Sequence, residues 1–373
     1  MTSRLTSRAA VTDGRGGFHI DTTEVAAPGP GEVRVKIAAS GLCHTDHQSL
    51  SWDGPLVMGH EGAGYVEALG EGLTHLKHLT EGSPVLLNWA IPCGQCPQCA
   101  RGSANVCDRS MGVKPELGSP RAAEGHTRWR GQAIQRAFNL GTFSEYTLVR
   151  AEALTPLPAT VPLDRACILG CGVMTGVGSV LNVAQVQPGE SVAVLGCGGV
   201  GLSAIQGARI AGAGQVIAID RNPEALARAR PFGATHLLQA PLEDPQGEQL
   251  LALLKGLTDG RGVDYAFEAT GVHALAFLPL RLVRHGGMAL QLSGAHGERS
   301  VSLFDFWWNK RYVVPLYGGC QPERDFPRLV EWWQRGQLDL DGMVSRFYAL
   351  DELPQAMDEL LAGRNIKGVV RFA

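Results

Sequence analysis

Cysteine and histidine carry the most legible chemistry in this chain. Cys93, Cys96, Cys99 and Cys107 place four thiols within fifteen residues, spaced Cys-x2-Cys-x2-Cys-x7-Cys. Four thiolates at ~2.3 Å can close tetrahedrally around one zinc ion and leave no position for a substrate. Gly94, Pro97 and Gly102 supply the short turns that let the chain fold around such an ion. An iron–sulfur cluster or a set of free thiols are the rival readings. A disulfide scaffold does not suit a chain of 373 residues with no export signal. Three further segments each offer a ligand: Cys43 in Gly41-Leu42-Cys43-His44-Thr45-Asp46, His60 and Glu61 in Gly59-His60-Glu61-Gly62, and Cys171 in Gly170-Cys171-Gly172. Taken singly, each also reads as a core cysteine or a structural histidine.

A second chemistry lies in Gly196-Cys197-Gly198-Gly199-Val200-Gly201, which follows the apolar run Val192-Ala193-Val194-Leu195. A GxGxxG alone is weak. Between a buried strand and a helix it becomes a phosphate cradle. Gly196 permits the tight turn, Gly198 lets backbone approach a pyrophosphate, and Gly201 lets helix pack on strand. Gly199 and Val200 open the helix, whose free N–H groups and dipole favour phosphate. Asp220 ends the next strand, 19 residues after Gly201. A carboxylate there accepts ribose hydroxyls and repels a 2′-phosphate, which favours NAD over NADP, although Arg221 beside it could pair with a phosphate.

These residues need elements to position them. The first ~150 residues read as short strands and Gly/Pro turns, with period-two alternation in Val33–Ile37. Gly62–Leu69 and Thr142–Val149 read as further strands. Beyond residue 172, strands expected at Ser191–Leu195, Gln215–Asp220, His236–Leu238, Asp264–Glu268, Met288–Leu292 and Tyr312–Leu316 mostly alternate with helices, the pattern of a parallel doubly wound sheet. Asn222-Pro223 marks a helix start. An amphipathic stretch (Phe326–Gln334), a helix (Leu353–Ala362) and a strand (Gly368–Phe372) close the chain. The net charge of −3 and a pI near 6.4 come without any run of Lys or Arg, so nucleic acid is not an expected partner. No stretch reaches ~18 apolar residues, so no membrane span is expected. Met1–Val11 lacks the apolar core of a secretory signal, so a cytoplasmic location is the default.

With GLCHTD, GHEGAG, the four-cysteine lobe, TFSEYT (Thr142–Thr147), GCGVMTG (Gly170–Gly176) and the glycine loop, the chain resembles the zinc-containing alcohol dehydrogenases of the medium-chain dehydrogenase/reductase superfamily. It is most similar to the long form that includes the class III, formaldehyde dehydrogenase-type enzymes, from Val33 to Phe372. The resemblance implies an α/β fold, with a GroES-like β-rich catalytic domain (1–172 and 317–373, bearing a structural zinc lobe at about 90–110) plus a Rossmann doubly wound parallel six-stranded sheet (173–316) that binds NAD. It implies two zinc ions per chain. Cys43, His60 and Cys171 hold the catalytic one, a donor set of two thiolates and one imidazole that keeps the ion a Lewis acid. Cys93, Cys96, Cys99 and Cys107 hold the structural one. Glu61 stands behind the metal, and Asp46 accepts the free ring N–H of His60. Thr45 accepts the alcohol proton. Many family members pass it on to a histidine at the place of Gln48; here His47 stands one residue earlier, so the relay runs through His47 or to water. His44 and Lys367 match positions at the cofactor's pyrophosphate, and Thr175 one beside the nicotinamide.

Trp89 matches an aromatic pocket position. The segment from Cys43 to His60, a loop at the substrate entrance that contains Trp52, is about four residues shorter than in the long-form relatives. The activity implied is reversible hydride transfer between a small alcohol and NAD, giving an aldehyde or ketone, with an apolar or aromatic primary alcohol as the substrate class. The alternative is oxidation of a thiol–formaldehyde adduct. A zinc-free quinone or enoyl reductase, or a non-enzymatic zinc-stabilised protein, would leave the three metal ligands or the cofactor loop without purpose. A homodimer joined near Tyr312–Leu316 is implied as well.

Overall fold

The computed structural model describes residues 4–373 except 74, 75, 77, 111–125, 245, 246, 295 and 296. The chain forms two compact units. The first comprises Met1–Cys171, Gln321–Trp333 and Leu340–Ala373, and the second Gly172–Cys320 and Gln334–Asp339. The break falls between Cys171 and Gly172, against an expected one after residue 172. Two short pieces differ. Residues 317–320 go with the second unit, and so does Gln334–Asp339, where Gln206 Nε2 donates to Asp339 O, Asp339 N–H returns to Gln206 Oε1, and Arg209 donates to Gln337 O. Among the described residues, no single helix is long and apolar enough to cross a membrane.

The first unit is built on β structure. Leu5–Thr12, Phe18–Val25, Thr127–Trp129, Gln132–Arg136 and Leu56–Val57 close a small barrel. Beside it runs a seven-stranded sheet whose centre is Glu32–Gly41 paired antiparallel with Glu61–Leu69. Val33, Val35, Ile37 and Ala39 are fully buried, as the alternation in the sequence requires. The final strand, Lys367–Arg371, pairs with Gly41–Ala39 and so returns the C-terminal segment to the same sheet. The strand expected over Thr142–Val149 begins only at Tyr146. Thr142, Phe143 and Glu145 still donate through backbone to Gly59 O, Met58 O and Arg8 O, but Gly141 at φ +60 and the Ser144 hydroxyl, which donates to Gly141 O, turn the chain there so that a regular strand starts only beyond them.

The second unit holds six parallel strands in the order His236–Gln239, Gln215–Asp220, Ser191–Leu195, Val263–Glu268, Val283–Gln291, Arg311–Val313. Helix Gly199–Ile210 follows the first of them in sequence. Asn222 caps the helix Pro223–Arg228 by accepting from Glu224 N–H at 2.9 Å. The sixth strand is shorter than the expected Tyr312–Leu316. Pro315, which has no N–H to donate, follows Val314, and a turn begins at Leu316.

Gly64 sets how closely the two central strands of the first unit approach. A Cβ there would overlap the carbonyl oxygen of Lys36 and sit 2.9 Å from Ile37 Cα, both backbone atoms of the paired strand. Gly64→Ala is therefore expected to destabilise the protein by about 1–3 kcal/mol in urea unfolding. Gly256, inside helix Glu248–Leu257 with open space around its Cα, should respond oppositely: Gly256→Ala should stabilise by about 0.5–1 kcal/mol. Equal effects would contradict this packing account.

Candidate metal and cofactor sites

Cys43 sits at the N-cap of the short helix His44–Gln48. The side chain three residues on closes the turn: Asp46 Oδ2 accepts the Cys43 N–H at 2.8 Å. The other oxygen of the same carboxylate faces His60 Nδ1 at 2.9 Å. His60 thus donates through Nδ1, and its Nε2 is left buried with no hydrogen-bond partner among the described residues. Cys171 follows the tight helical turn Cys167–Gly170. Gly170 is needed there because a Cβ would come to 2.9 Å of Leu87 O. The result is that donor atoms of Cys43, His60, Glu61 and Cys171 all lie within 4.8 Å of one another.

This set suits a zinc ion. Two thiols and an orphaned imidazole nitrogen are the soft and borderline donors it prefers. The Cys171 thiol donates towards Cys43, which holds Cys43 well below the usual thiol range, with His60 acting in the same direction against burial. The same hydrogen bond, together with burial, pushes Cys171 well above it. Burial disfavours a charged His60, but Asp46 and Cys43 together outweigh it and raise the imidazole's pKa. Burial also lifts Glu61 to about 7, although Lys367 pulls it down.

Lys367 has protein partners that the sequence did not indicate. It is 4% exposed, and its Nζ lies 2.6 Å from Glu61 Oε2, 2.7 Å from Glu61 Oε1 and 2.6 Å from Leu42 O. Nζ donates to Glu61 Oε1 and to Leu42 O and forms an ion pair with Glu61 Oε2, which ties the ammonium to the carboxylate beside the metal donors. Burial opposes the ammonium, but Glu61 and Cys43 keep it charged.

Thr45 Oγ1 is 3.7 Å from Cys43 Sγ, and His44 and His47 are exposed on the same short helix. Trp89 is nearly buried and meets Phe138 with ring centroids 5.3 Å apart. Phe138 also packs against Trp52 (5.5 Å) and against His60 itself (4.8 Å). The sequence reading missed Phe138. It is the hub of an aromatic wall beside a candidate ligand, held in left-handed backbone at φ 52 next to Asn139 at φ 59. No spacing rule points to such a residue, since it lies in an irregular turn.

The four-cysteine lobe also closes. Sγ atoms of Cys93, Cys96, Cys99 and Cys107 lie within 4.8 Å of one another. Sulfurs accept backbone N–H groups: Cys93 N to Cys107, Cys96 N to Cys93 and Cys99 N to Cys96, each at 3.4 Å. Burial pushes the Cys99 thiol up to about 12. Burial acts the same way on Cys107, but N–H donors from Ser110 and Cys93 outweigh it and bring that thiol down to about 6.

In the second unit, Gly196 has φ +93 and Gly198 caps the helix with open space where a Cβ would be. A Cβ on Gly201 would overlap Gly196 O. These are the turn, the approach face and the close packing that a pyrophosphate cradle requires. Gly199 and Val200 form the first helical turn. Asp220 braces the loop, since Oδ2 accepts Cys197 N–H at 2.8 Å and Oδ1 accepts Asn222 N–H at 2.9 Å. Arg221 beside it is exposed, and Thr175 is buried in helix Gly172–Gly178.

A fold of this kind with these two donor clusters defines a zinc-binding, nucleotide-linked oxidoreductase. The comparisons agree. Residues 29–159 match the alcohol dehydrogenase GroES-like domain and 199–335 the zinc-binding dehydrogenase family. The chain is 36% identical over 380 residues to an S-(hydroxymethyl)glutathione dehydrogenase of Escherichia coli, covering 99% of this chain and all of that one. It is 36% identical over 363 residues to the alcohol dehydrogenase class-3 of Myxine glutinosa, covering 95% and 94%. Among solved structures, benzyl alcohol dehydrogenase from Acinetobacter calcoaceticus is 30% identical with a TM-score of 0.86, covering 99% and 100%. An alcohol dehydrogenase zinc-binding domain protein from Burkholderia ambifaria is 31% identical with a TM-score of 0.89 over the full length of both. The chain belongs to the zinc-dependent alcohol dehydrogenases, oxidoreductases that use zinc and a nicotinamide dinucleotide.

Metal analysis of the purified protein is expected to find two zinc ions per chain. Cys107→Ser should bring this close to one and sensitise the fold to chelator, because closed structural sites contribute folding energy. Retention of two ions in that variant would contradict the lobe as a metal site.

Proposed function

We propose that this chain oxidises a primary alcohol with an aromatic or apolar body, reversibly, with NAD as hydride acceptor. The observation that carries the substrate class is the wall formed by Trp52, Trp89 and Phe138, whose hub packs on the His60 ring. A wall of π-faces binds an aromatic or apolar body through area and edge contacts and offers a charged peptide little. The structural likeness to benzyl alcohol dehydrogenase supports the same class.

Cys43, His60 and Cys171 would hold the catalytic zinc, and Cys93, Cys96, Cys99 and Cys107 the structural one. When bound, the catalytic ion supplies Lewis acidity to the alcohol or carbonyl oxygen. Asp46 fixes the ring of His60, so that Nε2 alone is presented. Thr45 accepts the proton of the substrate hydroxyl, and exposed His47 passes it to solvent. Glu61, neutralised by Lys367, stands behind the donors. In the second unit, Gly196, Gly198, Gly199, Val200 and Gly201 cradle the pyrophosphate and Asp220 reads the ribose, which favours NAD over NADP even with Arg221 adjacent. His44 and Thr175 are cofactor contacts by family resemblance. Six thiolate ligands need a reducing compartment, which supports a cytoplasmic location.

Full-length identity to S-(hydroxymethyl)glutathione dehydrogenases favours a second reading, oxidation of the thiol–formaldehyde adduct. Assays with benzyl alcohol, with ethanol, and with formaldehyde plus glutathione separate the two. The benzyl substrate is expected to give the highest kcat/KM. Phe138→Ala should reduce that value about tenfold, the cost of losing one aromatic contact, with a smaller effect on ethanol. Cys171→Ser should abolish turnover while NADH binding persists. A preference for the glutathione adduct would overturn the aromatic assignment.

The assembly proposed is a homodimer. Arg311–Val313 is the edge strand of the parallel sheet, and near it in sequence lie the exposed apolar residues Phe304 (69%), Trp308 (63%) and Val314 (63%). An unpaired edge with apolar flanks favours pairing with a second copy. Light scattering should return twice the monomer mass, and Val314→Glu should shift it towards the monomer. A monomeric wild type would contradict the dimer.

A further inference from the structure

Glu268 ends the strand Val263–Glu268, and its side chain is fully buried. Its partners are neutral donors. Oε1 accepts the Thr270 N–H at 2.7 Å and the Thr270 hydroxyl, and Oε2 accepts the Ser293 hydroxyl. A carboxylate buried against neutral groups is expensive, and an apolar or amide side chain would end a strand as well. The arrangement therefore calls for a reason beyond stability.

Position supplies one. Ser293 lies two residues beyond the strand Val283–Gln291, which pairs in parallel with Val263–Glu268. One side chain thus ties together the exits of two adjacent strands at the carboxyl edge of the sheet, the edge where doubly wound sheets bind dinucleotides. The glycine loop leaves the third strand at the same level: Leu195 is the register partner of Glu268, and Ala269 N–H donates to Leu195 O at 2.8 Å. Gly196 packs directly on the turn that Glu268 holds. A Cβ on Gly196 would sit 2.9 Å from the Ala269 carbonyl and 3.0 Å from Thr270 N, the atom that donates to Glu268.

We propose that Glu268 is a positioning residue for the nicotinamide dinucleotide: by holding Thr270 and Ser293 it fixes the turn against which the first glycine of the phosphate loop is set. It acts through these neighbours and does not touch the reacting atoms. The proposal rests on the reading of Gly196–Gly201 as the dinucleotide loop, which wild-type titration tests separately.

The experiment is fluorescence titration of NADH into the zinc-loaded enzyme, with steady-state kinetics and thermal melts on the same samples. Glu268→Gln keeps the shape but puts an amide donor where an acceptor is needed. It should weaken NADH binding about tenfold and raise the KM for NAD in step, while kcat at saturation and the KM for alcohol stay within about twofold. Thr270→Val should weaken NADH similarly, and Thr270→Ser, which keeps the hydroxyl, should restore it. If Glu268→Gln fails to fold, the Thr270 pair decides. A folded Glu268→Gln with unchanged NADH affinity would overturn the proposal, as would a loss of kcat equal to the loss of affinity, or a Thr270→Ser as impaired as Thr270→Val. Failure of the wild type to bind NADH would overturn the loop reading along with it.

Discussion

One carboxylate determines where the metal donors of the first unit point. Asp46, 1% exposed, accepts the Cys43 N–H with one oxygen and the His60 Nδ1–H with the other. The first bond fixes the turn that presents the Cys43 sulfur. The second fixes the ring tautomer and aims Nε2 at the cluster. Glu61 and Lys367 complete the support. The cluster brings the Cys43 and Cys171 thiols, the His60 imidazole and the Glu61 carboxylate within reach of one point. Soft and borderline donors converging in a buried place are the chemical argument for a zinc ion there.

The second unit solves a different problem with the same economy of parts. Three glycines of one loop each meet a distinct constraint: positive φ at Gly196, open approach at Gly198 and contact with Gly196 O at Gly201. Asp220 and Glu268 brace the loop from two neighbouring strands, one through Cys197 N–H and the other through the turn at Thr270. The phosphate cradle is therefore held by the strands that flank it as well as by its own backbone.

Much of this was legible in the sequence because metal and phosphate sites use rigid spacings. The cysteine lobe and the glycine loop lie where residue type and interval point, whereas Cys43, His60 and Cys171, far apart in sequence, were joined only by the family resemblance. Strand periodicity placed the buried face of Val33–Ile37 and most of the parallel sheet. The parts that escaped depend on contacts distant in sequence or on irregular backbone. Lys367 is a cofactor position by family resemblance, and its partner Glu61, 306 positions away, has no local signal. Phe138 has no periodic context and takes its role from two left-handed residues in a turn. The sixth strand ends early because Pro315 breaks a run that alternation alone would extend.

Anomalous diffraction at the zinc edge from crystals of the zinc-loaded protein tests the central claim most directly. The account predicts a peak about 2.3 Å from the sulfurs of Cys43 and Cys171 and about 2.1 Å from His60 Nε2, with the His60–Asp46 hydrogen bond intact. No zinc peak at those three residues, or a Cys43–Cys171 disulfide in its place, would contradict it.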